Sequence, residues 1–262
     1  MLLEVKGVVI RAVNLSESDR IITILTEAHG TISAYANNSR SLKSRYMAAA
    51  QLFCYGSYIL YKKGDRFWVR EVELIESFFG LRDSVERMAL AAYFCEVLSD
   101  VTTTEADPVT LRLALNALYA VANGRAPLGK IKAVFELRLA AEIGFMPDLD
   151  GCSECGRSDT TLYLDIMDGV AVCADCREYV AAEQREGELL YTGEEHRRPI
   201  LILSETVAAT MRYVISAPIE RLLAFRISDS EEASFELAAE QYLLNHLETG
   251  YDTLKFYKDV NK

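Results

Sequence analysis

CSECGRSDTTLYLDIMDGVAVCADC, residues 152–176, carries two Cys-x-x-Cys pairs with 17 residues between them. Two thiolates of one such pair converge on one ion, and a second pair completes the tetrahedron that Zn²⁺ prefers. This spacing lies in the range typical of zinc sites. The segment between the pairs predicts a hairpin with Asp168–Gly169 in its turn, which would return the second pair to the first. The sequence therefore predicts one closed, structural Zn²⁺ held by Cys152, Cys155, Cys173 and Cys176.

Other uses of four paired thiols fit less well. A thioredoxin-like redox site needs a single Cys-x-x-Cys on a βαβ background, which is missing. The zinc-deaminase signature places a His-x-Glu before a Pro-Cys-x-x-Cys, whereas the His-x-Glu here, His246–Glu248, follows both cysteine pairs and neither pair is preceded by proline. An iron–sulfur cluster stays open as an alternative, although the common clusters use other spacings. The remaining cysteines, Cys54 and Cys95, stand singly among apolar residues and are expected to be buried.

The chain opens with MLLEVKGVVIRAV, residues 1–13, which has early charges and no small-residue cleavage site. No apolar run of about 18 residues follows, so no transmembrane helix is expected. A cytoplasmic location is therefore predicted, and reduced thiols there favour a metal over disulfides.

Residues 1–80 are rich in β-branched residues and alternate apolar with polar positions, which predicts short strands. Turns are expected at Glu27–Gly30 and at Lys63–Asp65. Five short strands in this length suggest a small closed barrel, and five is the strand number of an OB-fold.

Beyond about residue 82 the apolar residues recur at helical spacing. Asp107 followed by Pro108 predicts the start of a helix that ends at Asn123–Gly124, and a second helix is expected from Pro127 to Gly144. More helices follow the cysteine stretch.

The last long helix is expected to open with a capping box formed by Asp229 and Glu232. Residues 183–199 are polar and predict a loop. The predicted fold class is α+β multidomain. It comprises an N-terminal five-stranded OB-fold barrel at 1–80 and an all-helical domain at 81–262, with an inserted four-cysteine zinc module at 150–180.

Charge is distributed unevenly along the chain, whose formal net charge is −11. Residues 1–80 carry ten Lys or Arg and eight Asp or Glu, whereas residues 81–262 carry eighteen and thirty-one. Within 38–70, seven basic residues stand against one acid, with aromatic residues interleaved. Basic side chains bind phosphates and aromatic rings stack on bases, so this stretch predicts a single-strand groove. Solvated surface charge and core aromatics are the alternative interpretation.

Together these features resemble the bacterial RecO family of recombination mediators. NLSESDRIITILTEAHGTISAYA, residues 14–36, is similar to the family's N-terminal pattern. FELRLAAEIGFMPDLDGCSECG, residues 135–156, is similar to its helix leading through Gly-x-x-Pro-x-Leu into the first cysteine pair, and LYLDIMDGVAVCADC completes the pattern.

The resemblance implies binding of single- and double-stranded DNA and annealing of complementary strands in DNA repair. It implies RecR as a partner and help in loading RecA onto strands covered by single-strand-binding protein, as in the RecFOR pathway. It implies no catalytic residue, no enzyme activity and a cytoplasmic, nucleoid-associated protein. The side chains expected to contact DNA are Arg20, Arg40, Lys43, Arg45, Lys62, Lys63 and Arg66.

Two further expectations follow from the resemblance. Some family members bind the acidic tail of single-strand-binding protein through basic residues of the helical domain. Lys130, Lys132 and Arg138 lie on the matching helix, with plain surface solvation as the alternative. Asn37 and Asn38 stand where basic and small residues are usual, so DNA binding through this loop is expected to be weaker.

Two other classes of function are alternatives to the mediator. The chain has no P-loop, dinucleotide-binding turn, His-Glu-x-x-His helix or nucleophile elbow, which argues against the common enzyme classes. Asp165 and Asp168 form a carboxylate pair, but roles in the hairpin turn explain them. The acidic second half suggests the alternative of a zinc-stabilised protein-interaction adaptor without direct DNA binding.

Overall fold

The structure is a computed structural model that describes residues 1–41, 44, 46–177, 189–192 and 198–261. Contacts divide the chain into two compact units, Met1–Arg125 with Tyr251–Lys262, and Ala126–Gly250. The first unit combines the barrel with three helices. The domain boundary expected near residue 80 stays a prediction.

Five strands form a closed barrel in the first unit, in the order β1-β2-β3-β5-β4. Neighbouring strands are antiparallel except for β3 and β5, which run parallel. The five-stranded OB-fold barrel is therefore confirmed. The strands are β1 Leu2–Asn14, β2 Arg20–Thr26, β3 Thr31–Ala36, β4 Tyr55–Lys63 and β5 Arg66–Glu76.

The barrel interior is filled by alternate residues of each strand, because successive side chains point to opposite faces. Ile22, Ile24, Tyr58 and Leu60 lie fully buried in this core. Both expected turns are present. Gly64 adopts a φ of 58°, in the left-handed region that the tight turn between β4 and β5 requires.

Six α-helices lie in the described part of the chain: α1 Val85–Val101, α2 Pro108–Ala122, α3 Leu128–Glu142, α4 Glu205–Ser216, α5 Asp229–Leu247 and α6 Asp252–Val260. The expected start of α2 is confirmed, because Asp107 Oδ1 accepts the amides of Val109 at 3.1 Å and Thr110 at 3.0 Å. In the first unit α6 packs on α1, where the Tyr251 hydroxyl donates to Asp100 at 2.8 Å. No helix in the described ranges combines the length and hydropathy needed to cross a bilayer.

The second unit contains α3, α4, α5 and a four-stranded sheet ordered β7-β6-β9-β8. The expected hairpin is confirmed as β6 Leu162–Asp165 and β7 Val170–Cys173, with Gly169 at a φ of 67°. The loop prediction for 183–199 is wrong in two places. Leu189–Thr192 forms β8, and Arg198–Leu203 forms β9 and pairs with both β6 and β8.

The capping box of α5 is also corrected. Ser228 is the N-cap, and its Oγ accepts the amide of Glu231 at 3.4 Å. The Ser228 hydroxyl in turn donates to Glu231 Oε2 at 3.1 Å. The cap lies one residue before the predicted one because serine accepts a helix-end amide as well as aspartate does.

Candidate metal centre and nucleic-acid interface

The four paired cysteines lie on two tight turns of the second unit. In the first turn the Cys152 amide donates to Arg157 O at 2.8 Å, and the Gly156 amide donates to Cys152 O at 2.7 Å. Gly156 has a φ of 73°, which a side chain would strain. In the second turn Cys173 ends β7, and the Cys176 amide donates back to its carbonyl at 3.2 Å.

These turns bring the four sulfur atoms within 4.8 Å of one another. Cys155 Sγ and Cys173 Sγ are 3.7 Å apart. A tetrahedral site with Zn–S bonds of about 2.3 Å places its sulfurs about 3.8 Å apart, whereas a disulfide requires about 2.05 Å. The cluster therefore fits one metal ion held by four thiolates and is compatible with zinc.

Hydrogen bonds within the cluster shift the pKa values of two of its thiols in opposite directions. Hydrogen bonding to the backbone of Cys173, and further to that of Cys155 and Glu154, lowers the pKa of Cys152 to about 6. Hydrogen bonds with the sulfurs of Cys155 and Cys173 raise the pKa of Cys176 to about 12. Thiolates bind metals, so a cation at this point would offset the crowding of negative charge that the four sulfurs create.

The carboxylates beside the cluster have roles in the hairpin. Asp165 Oδ1 accepts the amides of Met167 at 2.9 Å and Asp168 at 3.2 Å. Arg198 on β9 forms ion pairs with both Asp165 and Asp168. Their arrangement closes a turn and joins two strands.

Three positive side chains, named here the turn cations, surround the turn between β4 and β5: Lys62, Lys63 and Arg66. Lys63 and Arg66 lie opposite each other in the strand register. Lys62 Nζ is 5.3 Å from the centroid of the Phe67 ring, and Arg66 Cζ is 6.0 Å from that of Tyr35. Among the ion pairs of the described residues, none includes a turn cation.

Arg20 lies two strands away from the turn cations and, by the strand register, level with Val69, three residues farther from the turn than Arg66. It begins β2 opposite Ala36, and the neighbouring Tyr35 on β3 lies opposite Trp68 on β5. Two strand spacings of about 4.8 Å each therefore separate the backbone of β2 from that of β5. The Arg20 guanidinium forms two hydrogen bonds within the barrel unit, donating to Asn14 Oδ1 at 3.2 Å and to Ala50 O at 3.4 Å.

Arg40 joins the β1–β2 loop to the segment after β3. Its Nη1 donates to Ser16 O at 2.7 Å, and its amide donates to Ser18 O at 3.0 Å. These two hydrogen bonds fix Arg40 to the β1–β2 loop, while the residue remains exposed to solvent. Lys43 and Arg45, the other two expected DNA contacts, lie outside the described residues.

Asn38 has a structural role in this loop. Its backbone amide donates to Asp19 Oδ1 at 2.7 Å, and this hydrogen bond is the main cause of the lowered pKa of Asp19. Asn38 adopts a φ of 55°, which asparagine tolerates better than most side chains. An asparagine here therefore suits the backbone, whatever its effect on DNA.

Comparison with known proteins covers both parts of the chain. Residues 1–78 match the family model described as Recombination protein O N terminal, and residues 82–255 match Recombination protein O C terminal. The chain belongs to the RecO family. The DNA repair protein RecO of Acetivibrio thermocellus is 31% identical over 264 residues, covering 99% of this chain and 98% of the relative. That of Alkaliphilus metalliredigens is 25% identical, covering 99% and 100%.

In this RecO family member, the three cations predicted to contact single-strand-binding protein have partners within the second unit. Lys132 Nζ lies 3.0 Å from Glu136 and 2.8 Å from Glu240, with all three side chains buried. Lys130 Nζ donates to Phe225 O at 2.7 Å. Arg138 donates to carbonyls at the end of α4, including Ala217 O at 3.0 Å. The predicted contact stays a prediction, and the burial of these side chains does not support it.

Tyr35 is an outward-facing aromatic residue of the barrel that the sequence-based prediction did not include. Tyr35 stacks on Trp68, with ring centroids 5.5 Å apart. The signal is present in TISAYA, because buried Ile32, Ala34 and Ala36 alternate with outward positions. Strand alternation alone therefore places the Tyr35 ring on the outer face.

Proposed function

We propose that this chain binds single- and double-stranded DNA through its barrel and acts as a recombination mediator without enzymatic activity. It anneals complementary strands and, together with RecR, helps load RecA onto strands covered by single-strand-binding protein. Family membership supports this role, since curated relatives of nearly full coverage are named DNA repair proteins. A cytoplasmic, nucleoid-associated location follows from the same role.

The single observation that carries DNA binding is the group of turn cations. Three positive charges stand at one turn without a carboxylate partner among the described residues. An arginine beside lysines at an exposed edge can contact successive phosphates. Arg20 and Arg40 would extend the contact toward β2, as would Lys43 and Arg45.

We assign the cysteine cluster to one structural zinc ion. Zn²⁺ with four sulfur ligands has no open position for water, so it would supply folding energy and no chemistry. Cys152, Cys155, Cys173 and Cys176 would hold it. The helical region, 81–262, is acidic and therefore suits a protein partner better than the phosphates of DNA. We propose that RecR contacts this region.

A fluorescence-anisotropy titration with labelled oligo-dT from low to physiological salt tests DNA binding. The proposal expects affinity to fall steeply with salt, since each phosphate contact on a single strand contributes roughly 0.7 to the log–log slope. Lys62→Glu combined with Arg66→Glu should weaken binding and flatten that slope. Lys255→Glu combined with Arg226→Glu makes the same charge change at two exposed positions outside the barrel strands, and this matched control should leave binding near the wild-type level.

Failure to bind oligo-dT or duplex DNA at low salt contradicts the proposal. Capture of RecR by a chain without DNA affinity would then favour the alternative of a zinc-stabilised adaptor. Wild-type affinity in the double variant would show that DNA uses a different face.

A further inference from the structure

Three aromatic rings form a row across the outer face of strands β3, β5 and β4. We name them the aromatic strip: Tyr35, Trp68 and Tyr61. Trp68 is the strand partner of both tyrosines. The Tyr35 and Trp68 rings are stacked at 5.5 Å with an interplanar angle of 22°, and Tyr61 lies 6.4 Å from Trp68 at 44°.

The aromatic strip is separate from the barrel core. Each ring alternates with inward residues of its own strand, and Ala34, Leu60 and Val69 beside them are buried. Tyr61 is 42% exposed, and the other two rings are half-buried. Contiguous apolar surface of this kind is a feature of interaction sites.

The charged residues of β4 and β5 indicate which kind of ligand the aromatic strip can bind. The turn cations stand at the end of β4 and the start of β5, where Lys63 and Arg66 are each two residues from Tyr61 and Trp68, respectively, on the same face of the strands. Farther along the pair, Glu71 lies opposite Ile59 and Glu73 opposite Ser57. The aromatic strip thus has Lys63 and Arg66 on one side and Arg70, Glu71 and Glu73 on the other, so a polyanion would contact it from the side of the turn.

We propose that the aromatic strip stacks unpaired bases of single-stranded DNA while Lys63 and Arg66, the two turn cations on the same face of the strands, hold the adjacent phosphates. This inference rests on the proposed function and names the part of the site that distinguishes single strands from duplex. Every base has a flat face that stacks on an aromatic ring without regard to sequence. In a duplex those faces are already stacked on neighbouring base pairs, so only the phosphates remain for the cations.

The chain supplies its own reporter for this contact. Trp68, the central ring of the strip, is the only tryptophan in the sequence. A base stacked on it should quench its fluorescence. The experiment compares oligo-dT with an abasic oligonucleotide of equal length, which has the same phosphates and no bases. Quenching by oligo-dT, with little change on saturation by the abasic strand, is the expected result.

A variant series then assigns the effect to the strip. Tyr61→Ala should weaken oligo-dT binding about 5-fold or more, because stacking contributes about 1–3 kcal/mol per base, and should leave the abasic strand unaffected. Tyr61→Phe keeps the ring and should retain wild-type affinity. Tyr61→Leu keeps an apolar strand residue without a flat ring and should behave like the alanine variant, which separates stacking from folding.

The matched control is Tyr119→Ala. Tyr119, on helix α2, is an equally exposed tyrosine, at 43%. It also has a cation beside it, because Arg125 Cζ lies 5.3 Å from the centroid of its ring. Its removal should change neither ligand's affinity. Equal losses for both ligands, or none, in Tyr61→Ala and Tyr61→Leu would overturn base stacking while leaving DNA binding intact. Absence of binding by the wild-type chain to either ligand would instead overturn the proposed function itself.

Discussion

Lys63 and Arg66 lie directly opposite each other across the two-residue turn Gly64–Asp65, so two positive charges face one another at the edge of the barrel. Like charges at directly opposed positions weaken a sheet. A bound phosphate would remove that repulsion. The pair is therefore a local cost to stability at the position where DNA binding is proposed.

Lys63→Glu converts the repulsive pair into an attractive one, so stability and DNA binding should change in opposite directions. The barrel should gain roughly 0.2–1 kcal/mol in its free energy of unfolding. Affinity for oligo-dT should fall, because one phosphate contact becomes a repulsion. Urea unfolding and fluorescence anisotropy on the same preparation measure the two effects.

Lys6→Glu is the control for the change in net charge. Lys6 is exposed on β1, and its strand partner on β4 is the uncharged Ser57. It should give neither the gain in stability nor the loss of affinity. A Lys63→Glu variant with unchanged affinity would remove Lys63 from the DNA interface.

Cys152→Ser removes one ligand from the proposed tetrathiolate site. Metal content, measured by plasma mass spectrometry on the purified chain, should fall well below that of wild type. Thermal unfolding followed by circular dichroism should occur at a lower temperature, because metal binding contributes directly to the stability of such a module.

Cys54→Ala provides the comparison, since Cys54 is buried in the barrel unit and lies outside the cluster. It should keep the full metal content. Undiminished metal in Cys152→Ser would contradict a four-cysteine site, and metal that proves to be iron would support the cluster alternative.

Lys132→Met should destabilise the second unit strongly. Burial lowers the pKa of Lys132, but attraction to Glu136 and Glu240 outweighs it and the net shift is upward, so the lysine is charged. Its removal leaves buried carboxylates without this cation, which typically costs about 3–5 kcal/mol. Urea unfolding measures the loss.

Lys130→Met is the milder comparison, because its ion pair with Glu232 is longer, at 3.8 Å, and more exposed. Binding of single-strand-binding protein should be assayed only in variants that stay folded. Full stability in Lys132→Met, with loss of that binding, would restore Lys132 as a contact residue.

Features set by local chemistry could be predicted from the sequence. Asp107–Pro108 specifies a helix start through its own carboxylate, and Gly169 permits the positive φ of the hairpin turn. Alternating strand residues indicated the barrel, because half of each strand must face the core. The two cysteine pairs indicated their common site, since tight turns fix the position of each pair.

Features that depend on distant partners could not be predicted. Arg198–Leu203 forms a strand only because β6 supplies a ladder more than 30 residues away, so the adjoining polar sequence suggested a loop. Lys132 looked like surface charge because a sequence does not show that Glu240, on another helix, meets it in the interior. The Tyr35–Trp68 stack likewise requires the parallel pairing of β3 with β5.

His246 should make the second unit less stable in mild acid. Its ring stacks on Phe145 at 4.3 Å and meets Tyr242 edge-on at 4.6 Å. Burial lowers the pKa of His246 below its ordinary value, although a hydrogen bond to the Ile166 backbone opposes the shift. The unfolded chain therefore binds this proton more readily than the folded chain, and stability should fall as the pH drops through about 6.5.

Urea unfolding at pH 7.5 and pH 5.5 checks this expectation in wild type and in His246→Phe, which keeps an aromatic ring but cannot be protonated. The variant should lose less stability on acidification than wild type. Metal release in acid affects both proteins, so the difference between them isolates the histidine. An identical loss in wild type and His246→Phe would show that His246 does not contribute to the acid sensitivity of this unit.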